Sequence, residues 1–167
     1  MNHRIVIFGN SGSGKSSMAR RFADELKLPH LDLDEVAWKE SNPPTRHTYQ
    51  ESVAAINTFL RGHPNWIIEG CYGSLIAHTV SFASNIYFLN IGIETCVANC
   101  LARPWEPHKY PTKSAQDKNL EMLTQWVREY DTRTDEFSLH EHQLIFKNFH
   151  GQKLEIKSNN ESAQIRR

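Results

Sequence analysis

Residues 9–16 read Gly-Asn-Ser-Gly-Ser-Gly-Lys-Ser, which is a complete G-x-x-x-x-G-K-[ST] pattern. The apolar residues 5–8 stand directly before it, and a helical pattern follows it. In such a strand, loop and helix, backbone N–H groups surround a phosphate oxygen, the lysine reaches the outer phosphates and the serine hydroxyl binds Mg²⁺. The stretch therefore predicts that Lys15 and Ser16 contact a nucleoside triphosphate. The alternative, a glycine- and serine-rich surface turn, explains neither the strand nor the helix.

The helix behind this loop has one apolar face. Met18, Phe22 and Leu26 recur with helical spacing, whereas Arg20, Arg21 and other charged residues occupy much of the opposite face. A helix with this pattern packs one side on a sheet and exposes the other to water.

The composition is that of one globular domain, residues 1–167. Nineteen Lys and Arg residues balance nineteen Asp and Glu residues. This balance gives no bulk positive field of the kind that duplex nucleic-acid binders carry, so nucleic acid is disfavoured as a partner, although local basic patches are compatible with it. Because there is neither a signal-peptide pattern nor an apolar run of about 18 residues, we expect a cytoplasmic protein without membrane contact.

Strand and helix signals alternate along the chain. Short apolar or alternating runs predict strands near residues 4–8, 30–33, 66–68, 86–89 and 153–157, and helical spacing predicts the segments between them. Residues 104–118 carry three prolines and no period, which indicates an insertion, and residues 158–167 form a polar tail expected to fray. Helices that connect apolar strands in sequence predict a parallel sheet with helices on both faces, that is, a three-layer α/β fold.

Acidic residues follow two of the predicted strands. Asp32 and Asp34 end the second strand, and Glu69 ends the third, so all three are expected at the ligand-binding edge of the sheet. Strand alternation would send Asp32 and Asp34 to the same side, where they could hold metal-bound water or accept a proton from an attacking hydroxyl. A solvated strand end, or an N-cap of the following turn, is the alternative. Glu69 stands where phosphate-loop proteins keep an acidic group for magnesium or the nucleophile, with a structural pair as its alternative.

Phosphoryl transfer also requires positive charge around the migrating group. Arg103 stands at the mouth of the insertion, and Lys109 and Lys113 lie inside it. Arg128 and Arg133 follow on or near the next predicted helix. Closure of the insertion would bring such cations over the phosphates, whereas the alternative for each is an ordinary solvated surface residue.

With these features the chain resembles small phosphate-loop kinases of the adenylate-kinase and shikimate-kinase type, and within them the bacterial topology-modulation proteins, also described as adenylate-kinase-like ATPases. Four features carry the resemblance: residues 9–16, the pair Asp32 and Asp34, which is similar to the D-x-D of shikimate kinases, Glu69-Gly70 in place of an Asp-Gly, and Arg103 before a lid. The resemblance implies a five-stranded parallel sheet in the order 2-3-1-4-5, a lid near residues 104–118, and Mg²⁺ and ATP as cofactors.

The resemblance also implies a division of the site. The nucleotide would contact Gly9, Asn10, Ser11, Gly12, Ser13, Gly14, Lys15, Ser16, Ser17, Arg103, Ser158 and Asn159, the last two near adenine. Mg²⁺ would bind near Ser16, Asp32 and Glu69, and the acceptor near Asp34, Trp38, Arg61, Gly70 and Tyr72. In this interpretation Lys15 and Arg103 stabilise the transferring group, and Asp34 orients or deprotonates the acceptor.

One departure from the family pattern concerns the acceptor. Nucleoside-monophosphate kinases carry an arginine just after their Asp-Gly, whereas Cys71-Tyr72-Gly73-Ser74 follows Glu69-Gly70. The resemblance therefore implies phosphoryl transfer to a small-molecule or nucleotide acceptor and weakens the case for a monophosphate. Two alternatives are a nucleotide-dependent regulator or nucleic-acid-associated ATPase, and a polynucleotide-end kinase.

Overall fold

The computed structural model describes residues 2–107 and 110–165. Its main sheet has five parallel strands, β1 (Arg4–Gly9), β2 (His30–Asp32), β5 (Trp66–Gly70), β6 (Asn85–Leu89) and β7 (Gln152–Ile156). They lie in the order β2-β5-β1-β6-β7, which confirms the predicted order 2-3-1-4-5 when these five strands are counted along the chain. Two further short strands, β3 (Trp38–Lys39) and β4 (Thr45–Arg46), form a separate antiparallel pair.

Helices cover both faces of the sheet. Their bounds are α1 (Lys15–Leu26), α2 (Leu33–Ala37), α3 (Tyr49–Gly62), α4 (Gly73–Val80), α5 (Ile93–Leu101), α6 (Lys113–Arg128), α7 (Leu139–Asn148) and α8 (Asn159–Gln164). None of these helices is long and apolar enough to cross a membrane. The predicted three-layer α/β fold is thus confirmed.

The central strand β1 is apolar on both faces because both faces are covered. Ile5 and Ile7 belong to a core with side chains of α1, α5 and α6, whereas Val6 and Phe8 belong to a second core with side chains of α3, α4 and α7. Alternation along the strand sends these pairs to opposite faces. Burial of apolar surface in the two cores contributes roughly 25 cal/mol per Å², so this strand is a main support of the fold.

Several local elements differ from the predictions. The short helices α2 and α4 and the β3–β4 pair were not predicted. The irregular insertion ends earlier than residue 118, because Thr112 caps α6 by accepting a hydrogen bond from the Ala115 N–H. The polar tail forms α8 instead of fraying, since the Arg21 guanidinium donates to the carbonyls of Ser162 and Ile165. Lys109 lies outside the described residues.

A segment between α6 and α7 is fastened to the start of α4. The Gly73 N–H donates to the Glu136 carbonyl at 3.1 Å, and the Glu136 carboxylate accepts hydrogen bonds from the backbone N–H and hydroxyl of Ser74. This fastening holds the neighbouring Phe137 beside the turn that follows β5, where Tyr72 and Phe137 lie edge to face at 5.4 Å.

The close approach at Gly73 gives a stability prediction. A Cβ atom at position 73 would lie 2.3 Å from the Glu136 carbonyl oxygen, so Gly73→Ala must push the backbone of the 129–138 segment away. We expect a loss of about 2 kcal/mol in the free energy of unfolding, measured by urea denaturation. Gly62→Ala is the matched control, because a Cβ there meets open space; equal losses in the two variants would contradict the prediction.

Candidate functional site

The loop between β1 and α1 has the backbone geometry of an anion cradle. Gly12 and Gly14 have φ of 78° and 89°, and a Cβ at Gly12 would lie 2.4 Å from the Cys96 carbonyl oxygen. Only glycine tolerates that combination of positive φ and close contact. The helix α1 begins at Lys15 with no acidic residue in its first turn. Its free N–H groups and its dipole therefore favour a bound anion in front of Lys15.

Two residues of the loop support it from within. Asn10 is buried and donates from Nδ2 to the Val127 carbonyl at 3.1 Å, which anchors the loop to α6. The Lys15 ammonium donates to the Asn10 carbonyl at 2.8 Å. Gly9 is required at the end of β1, because a Cβ there would lie 2.4 Å from the Leu89 carbonyl oxygen.

A cavity of about 620 Å³ opens beside this loop at the carboxyl edge of the sheet. The parallel register pairs Glu69 with Ile7 of β1 and with Asp32 of β2, so three strand ends meet there. The predicted site residues that line the cavity are Ser11, Gly12, Gly14, Lys15, Ser16, Ser17, Asp32, Asp34, Trp38, Glu69, Gly70, Tyr72 and Arg103. The structure therefore brings together most residues expected at the donor and acceptor sides.

The remaining predicted residues lie elsewhere. A second cavity of about 430 Å³ also borders the loop, and Ser13, Asn159 and Arg103 line it. Ser158 caps α8 by accepting from the Glu161 N–H, and it lines neither of these two cavities. Arg61 does not reach the acceptor side: it lies in the last turn of α3, where its guanidinium donates to the Thr58 hydroxyl.

Glu69 is an acidic side chain in the interior of the site. It is 1% exposed, and its Oε1 accepts no hydrogen bond from the described residues; His30 Nε2 lies 3.8 Å from this oxygen. Burial raises the pKa of Glu69 to about 7, against the opposing effects of the Lys15 charge and a hydrogen bond from Ser16. A buried carboxylate oxygen without a hydrogen bond is an available ligand.

These donors fit a magnesium ion that is shared with phosphates. In the part of the chain that the structure describes, no cluster of three His, Cys, Asp or Glu residues is arranged to bind a metal. Mg²⁺ usually keeps several waters and needs only one or two carboxylates beside substrate phosphates. Glu69 and the Ser16 hydroxyl meet that requirement, and Asp32 lines the same cavity.

The aspartate pair is arranged differently from the prediction. Strand β2 ends at Asp32, and Asp34 belongs to the first turn of α2, so the argument from strand alternation was wrong. Asp32 Oδ1 accepts from the Asp34 N–H at 2.9 Å, which is the N-cap that the alternative interpretation described. Both carboxylates nevertheless line the cavity.

Asp34 is held by a short chain of hydrogen bonds. The Tyr72 hydroxyl donates to Asp34 Oδ1, and the Trp38 indole N–H donates to that hydroxyl oxygen at 2.7 Å. Burial, followed by the charge of Asp34, raises the pKa of Tyr72, so this hydroxyl keeps its proton and acts as a donor. Three predicted acceptor residues therefore form one connected unit.

The cations around the cavity differ from the predicted set. Arg103 lines both cavities and lies 3.5 Å from the Glu106 carboxylate. Arg20 also lines the larger cavity, although its sequence pattern suggested the outer face of α1. Its position four residues after Ser16, on the same side of the helix, was the available signal.

The other predicted cations among the described residues lie away from the two cavities. Arg133 donates to the Trp126 carbonyl and stacks on the Trp126 ring at 4.0 Å. The exposed Lys113 ammonium pairs with Asp117. Arg128, in the last turn of α6, lines neither cavity.

Sequence reasoning also missed a buried histidine that supports the site. His142 hydrogen-bonds the Cys71 carbonyl through Nε2 at 2.9 Å and the Tyr130 hydroxyl through Nδ1 at 2.7 Å. Burial lowers the pKa of His142 to about 4, so the ring is neutral near pH 7. Its contacts hold the turn after β5, which carries Tyr72. No motif marked this residue, because its partners are distant in sequence.

The raised pKa of Glu69 predicts a pH-dependent stability. The unfolded chain deprotonates this carboxyl near 4.5 and the folded chain near 7, so its stabilising contribution is complete below pH 4.5 and is lost as pH rises through 7. Without Mg²⁺ and nucleotide, Glu69→Gln should therefore gain about 2–3 kcal/mol of unfolding free energy relative to the wild type between pH 5 and pH 8. Urea denaturation checks this. Glu121→Gln, on the exposed face of α6, should follow the wild type; a pH-independent difference for Glu69→Gln would contradict the account.

Comparison with known proteins identifies the fold. No family model matches the chain, and no curated protein matches it in sequence. Among solved structures, a gluconokinase from Sinorhizobium meliloti is 18% identical with a TM-score of 0.57, and the match covers 98% of this chain and 87% of that one. A sugar kinase from Janibacter sp. is 12% identical with a TM-score of 0.51, covering 94% and 86%. The YorR protein from Bacillus subtilis, solved with phosphorylated GDP, is 14% identical with a TM-score of 0.51, covering 96% and 86%. The chain therefore has the fold of small phosphate-loop kinases.

Proposed function

We propose that this chain transfers the γ-phosphoryl group of ATP to a hydroxyl of a small-molecule acceptor in the cytoplasm. The observation that carries the proposal is that the phosphate loop and the Asp34–Tyr72–Trp38 unit line one continuous cavity. A phosphate bound in front of α1 and a hydroxyl held by Asp34 would then meet in the same space. Proximity of this kind is a large part of catalysis in phosphoryl transfer.

The donor half would be held by the loop and its cations. Lys15 and Arg103 border the cavity and would stabilise negative charge on the transferring group. Ser16 and Glu69, with Asp32 nearby, would hold Mg²⁺, which when bound neutralises charge on the phosphate oxygens. Arg103 must leave its contact with Glu106 to reach a phosphate, and the 3.5 Å separation of this partly exposed pair indicates that the exchange costs little free energy.

The nucleoside part of ATP would extend toward α8. Asn99 Nδ2 donates to the Gly12 carbonyl at 2.8 Å, and the side chains of Asn99 and Asn159 are hydrogen-bonded to each other. Asn159 thus lies next to the loop and lines the smaller cavity. This supports an adenine position near Asn159, whereas Ser158 would act through the cap of α8.

On the acceptor side, Asp34 would orient the hydroxyl and accept its proton. The Tyr72 hydroxyl fixes one carboxylate oxygen of Asp34, which leaves the other oxygen for the acceptor. General-base assistance of this type contributes roughly 10²–10⁴ in rate. Tyr72 and Trp38 act as positioning residues in this scheme.

A kinase explains the cavity better than the alternatives do. A nucleotide-dependent regulator or ATPase needs the phosphate loop but no shaped space opposite it. The fold likeness to a gluconokinase and a sugar kinase supports a small acceptor, and YorR, solved with phosphorylated GDP, keeps a nucleotide acceptor in consideration. Membership of the topology-modulation group, implied by the sequence resemblance, is compatible with this activity.

Substitution of Asp34 tests the acceptor half. Asp34→Asn keeps the size of the side chain but removes the base, so phosphoryl transfer from γ-labelled ATP should fall by roughly 10²-fold or more. The affinity for ATP, measured by calorimetry, should change less than about twofold. Asp24→Asn, exposed on α1, is the matched control and should retain full activity.

Lys15→Ala, with Lys147→Ala as its control, separates the two halves of the site. It should lower transfer and triphosphate affinity together, because the ammonium would contact the phosphates in both ground and transition state. An active Asp34→Asn variant beside an inactive Lys15→Ala variant would mean that transfer needs the phosphate loop but not Asp34, which contradicts the role proposed for Asp34.

A further inference from the structure

We infer that the acceptor is an uncharged, hydroxyl-bearing ring compound, such as a nucleoside or a cyclic sugar or polyol, and not a carboxylate or a phosphate ester. The inference rests on the proposed function and names the substrate class of the same site. Two independent observations carry it: the charges that line the cavity, and the aromatic wall that adjoins Asp34.

The acceptor side of the cavity carries no surplus positive charge. The carboxylates of Asp32, Asp34, Glu69 and Glu106 line the cavity together with Lys15, Arg20 and Arg103. Once Lys15 and Arg103 are assigned to the donor phosphates, Arg20 is the cation that remains for the acceptor among the described lining residues. If Mg²⁺ balances Asp32 and Glu69, then Asp34 and Arg20 still offset each other. The described residues therefore leave no surplus cation to compensate an anionic acceptor, whose charge would also be repelled by the phosphates of ATP.

Arg46, the cation next to this region, is already engaged. It lies over the rings of Tyr72 and Phe137 at 4.8 and 5.8 Å, and its guanidinium is 3.4 Å from the Glu136 carboxylate. Glu136 is in turn held by Ser74. Arg46 does not line the cavity, so it stabilises the outer side of the aromatic rings and is not available to pair with a bound anion.

An aromatic wall adjoins Asp34. Trp38, Tyr72, Trp126 and Phe137 all line the cavity, and Phe137 contacts both Tyr72 and Trp126 edge to face at 5.4 and 5.6 Å. Leu123 extends this apolar surface. Such a surface binds the flat face of a base or the C–H face of a sugar ring, while the carboxylate at its end accepts a hydroxyl proton.

The test measures binding of matched compounds that differ in one charged group. The wild-type protein, saturated with Mg²⁺ and a non-hydrolysable ATP analogue, is titrated by calorimetry with adenosine against AMP, guanosine against GMP, and glucose against glucuronate. We expect the uncharged member of at least one pair to bind at least tenfold more tightly than its anionic partner. The nucleoside and sugar arms distinguish the two sources of this chemistry. Equal or tighter binding of the anionic members, or no binding of any uncharged member, would overturn the inference.

Two variants test whether Phe137 and Asp34 account for the preference for uncharged compounds. Phe137→Leu should weaken binding of the preferred uncharged compound about fivefold or more and leave binding of the ATP analogue unaffected. Phe82→Leu replaces an exposed phenylalanine that follows the end of α4 and does not line the cavity, so it should change neither. Asp34→Asn should lower the ratio of the affinity for the uncharged compound to the affinity for its anionic partner, because it removes one negative charge from the site. An unchanged ratio in Asp34→Asn would contradict the electrostatic part of the argument.

A transfer assay on the same panel separates this inference from the proposed function. If uncharged compounds bind but none is phosphorylated, the kinase proposal fails and the acceptor class stands as a ligand class. If glucuronate or a monophosphate is phosphorylated faster than its uncharged partner, the kinase proposal stands and this inference fails.

Discussion

The parallel register of β2, β5 and β1 is the constraint on which the site depends. It places Asp32 beside Glu69 and Glu69 beside Ile7, so the phosphate loop and the acidic residues must share one edge of the sheet. β1 and β5 are buried on both faces, so a slip of their register would misplace side chains that are packed in the two cores. The same packing that stabilises the fold thereby sets the distance between the donor and acceptor halves.

This arrangement destabilises the ligand-free protein mainly through the buried carboxyl group of Glu69. A carboxyl group that is almost fully buried, with one oxygen lacking a hydrogen bond among the described side chains, destabilises the ligand-free protein when it is ionised. The nearby Lys15 charge offsets part of that penalty. A buried charge without a hydrogen-bond partner is typical of sites that are completed by a ligand. Here a divalent cation and phosphates would supply the missing partners.

The sequence was informative where the signal is local. The glycine spacing of residues 9–16 and the apolar strands predicted the loop and the edge of the sheet at which Glu69 lies. The order of the strands came from the family resemblance. Prediction from the sequence failed where short helices and long-range packing determine the structure. The helix α2 is too short to show a helical period, so Asp34 was predicted to be a strand residue. Phe137 reaches the cavity only because Glu136 bonds to the start of α4, and Arg61 is directed away from it, and neither fact follows from spacing.

The most direct test of the account is a structure of the protein with Mg²⁺ and a non-hydrolysable ATP analogue. The account predicts the β- and γ-phosphates in the loop at residues 9–16, the metal about 2.1 Å from the Ser16 hydroxyl oxygen, and the γ-phosphate directed into the cavity toward Asp34. A triphosphate bound outside the loop, or a γ-phosphate directed away from the Asp34–Tyr72–Trp38 unit, would contradict it.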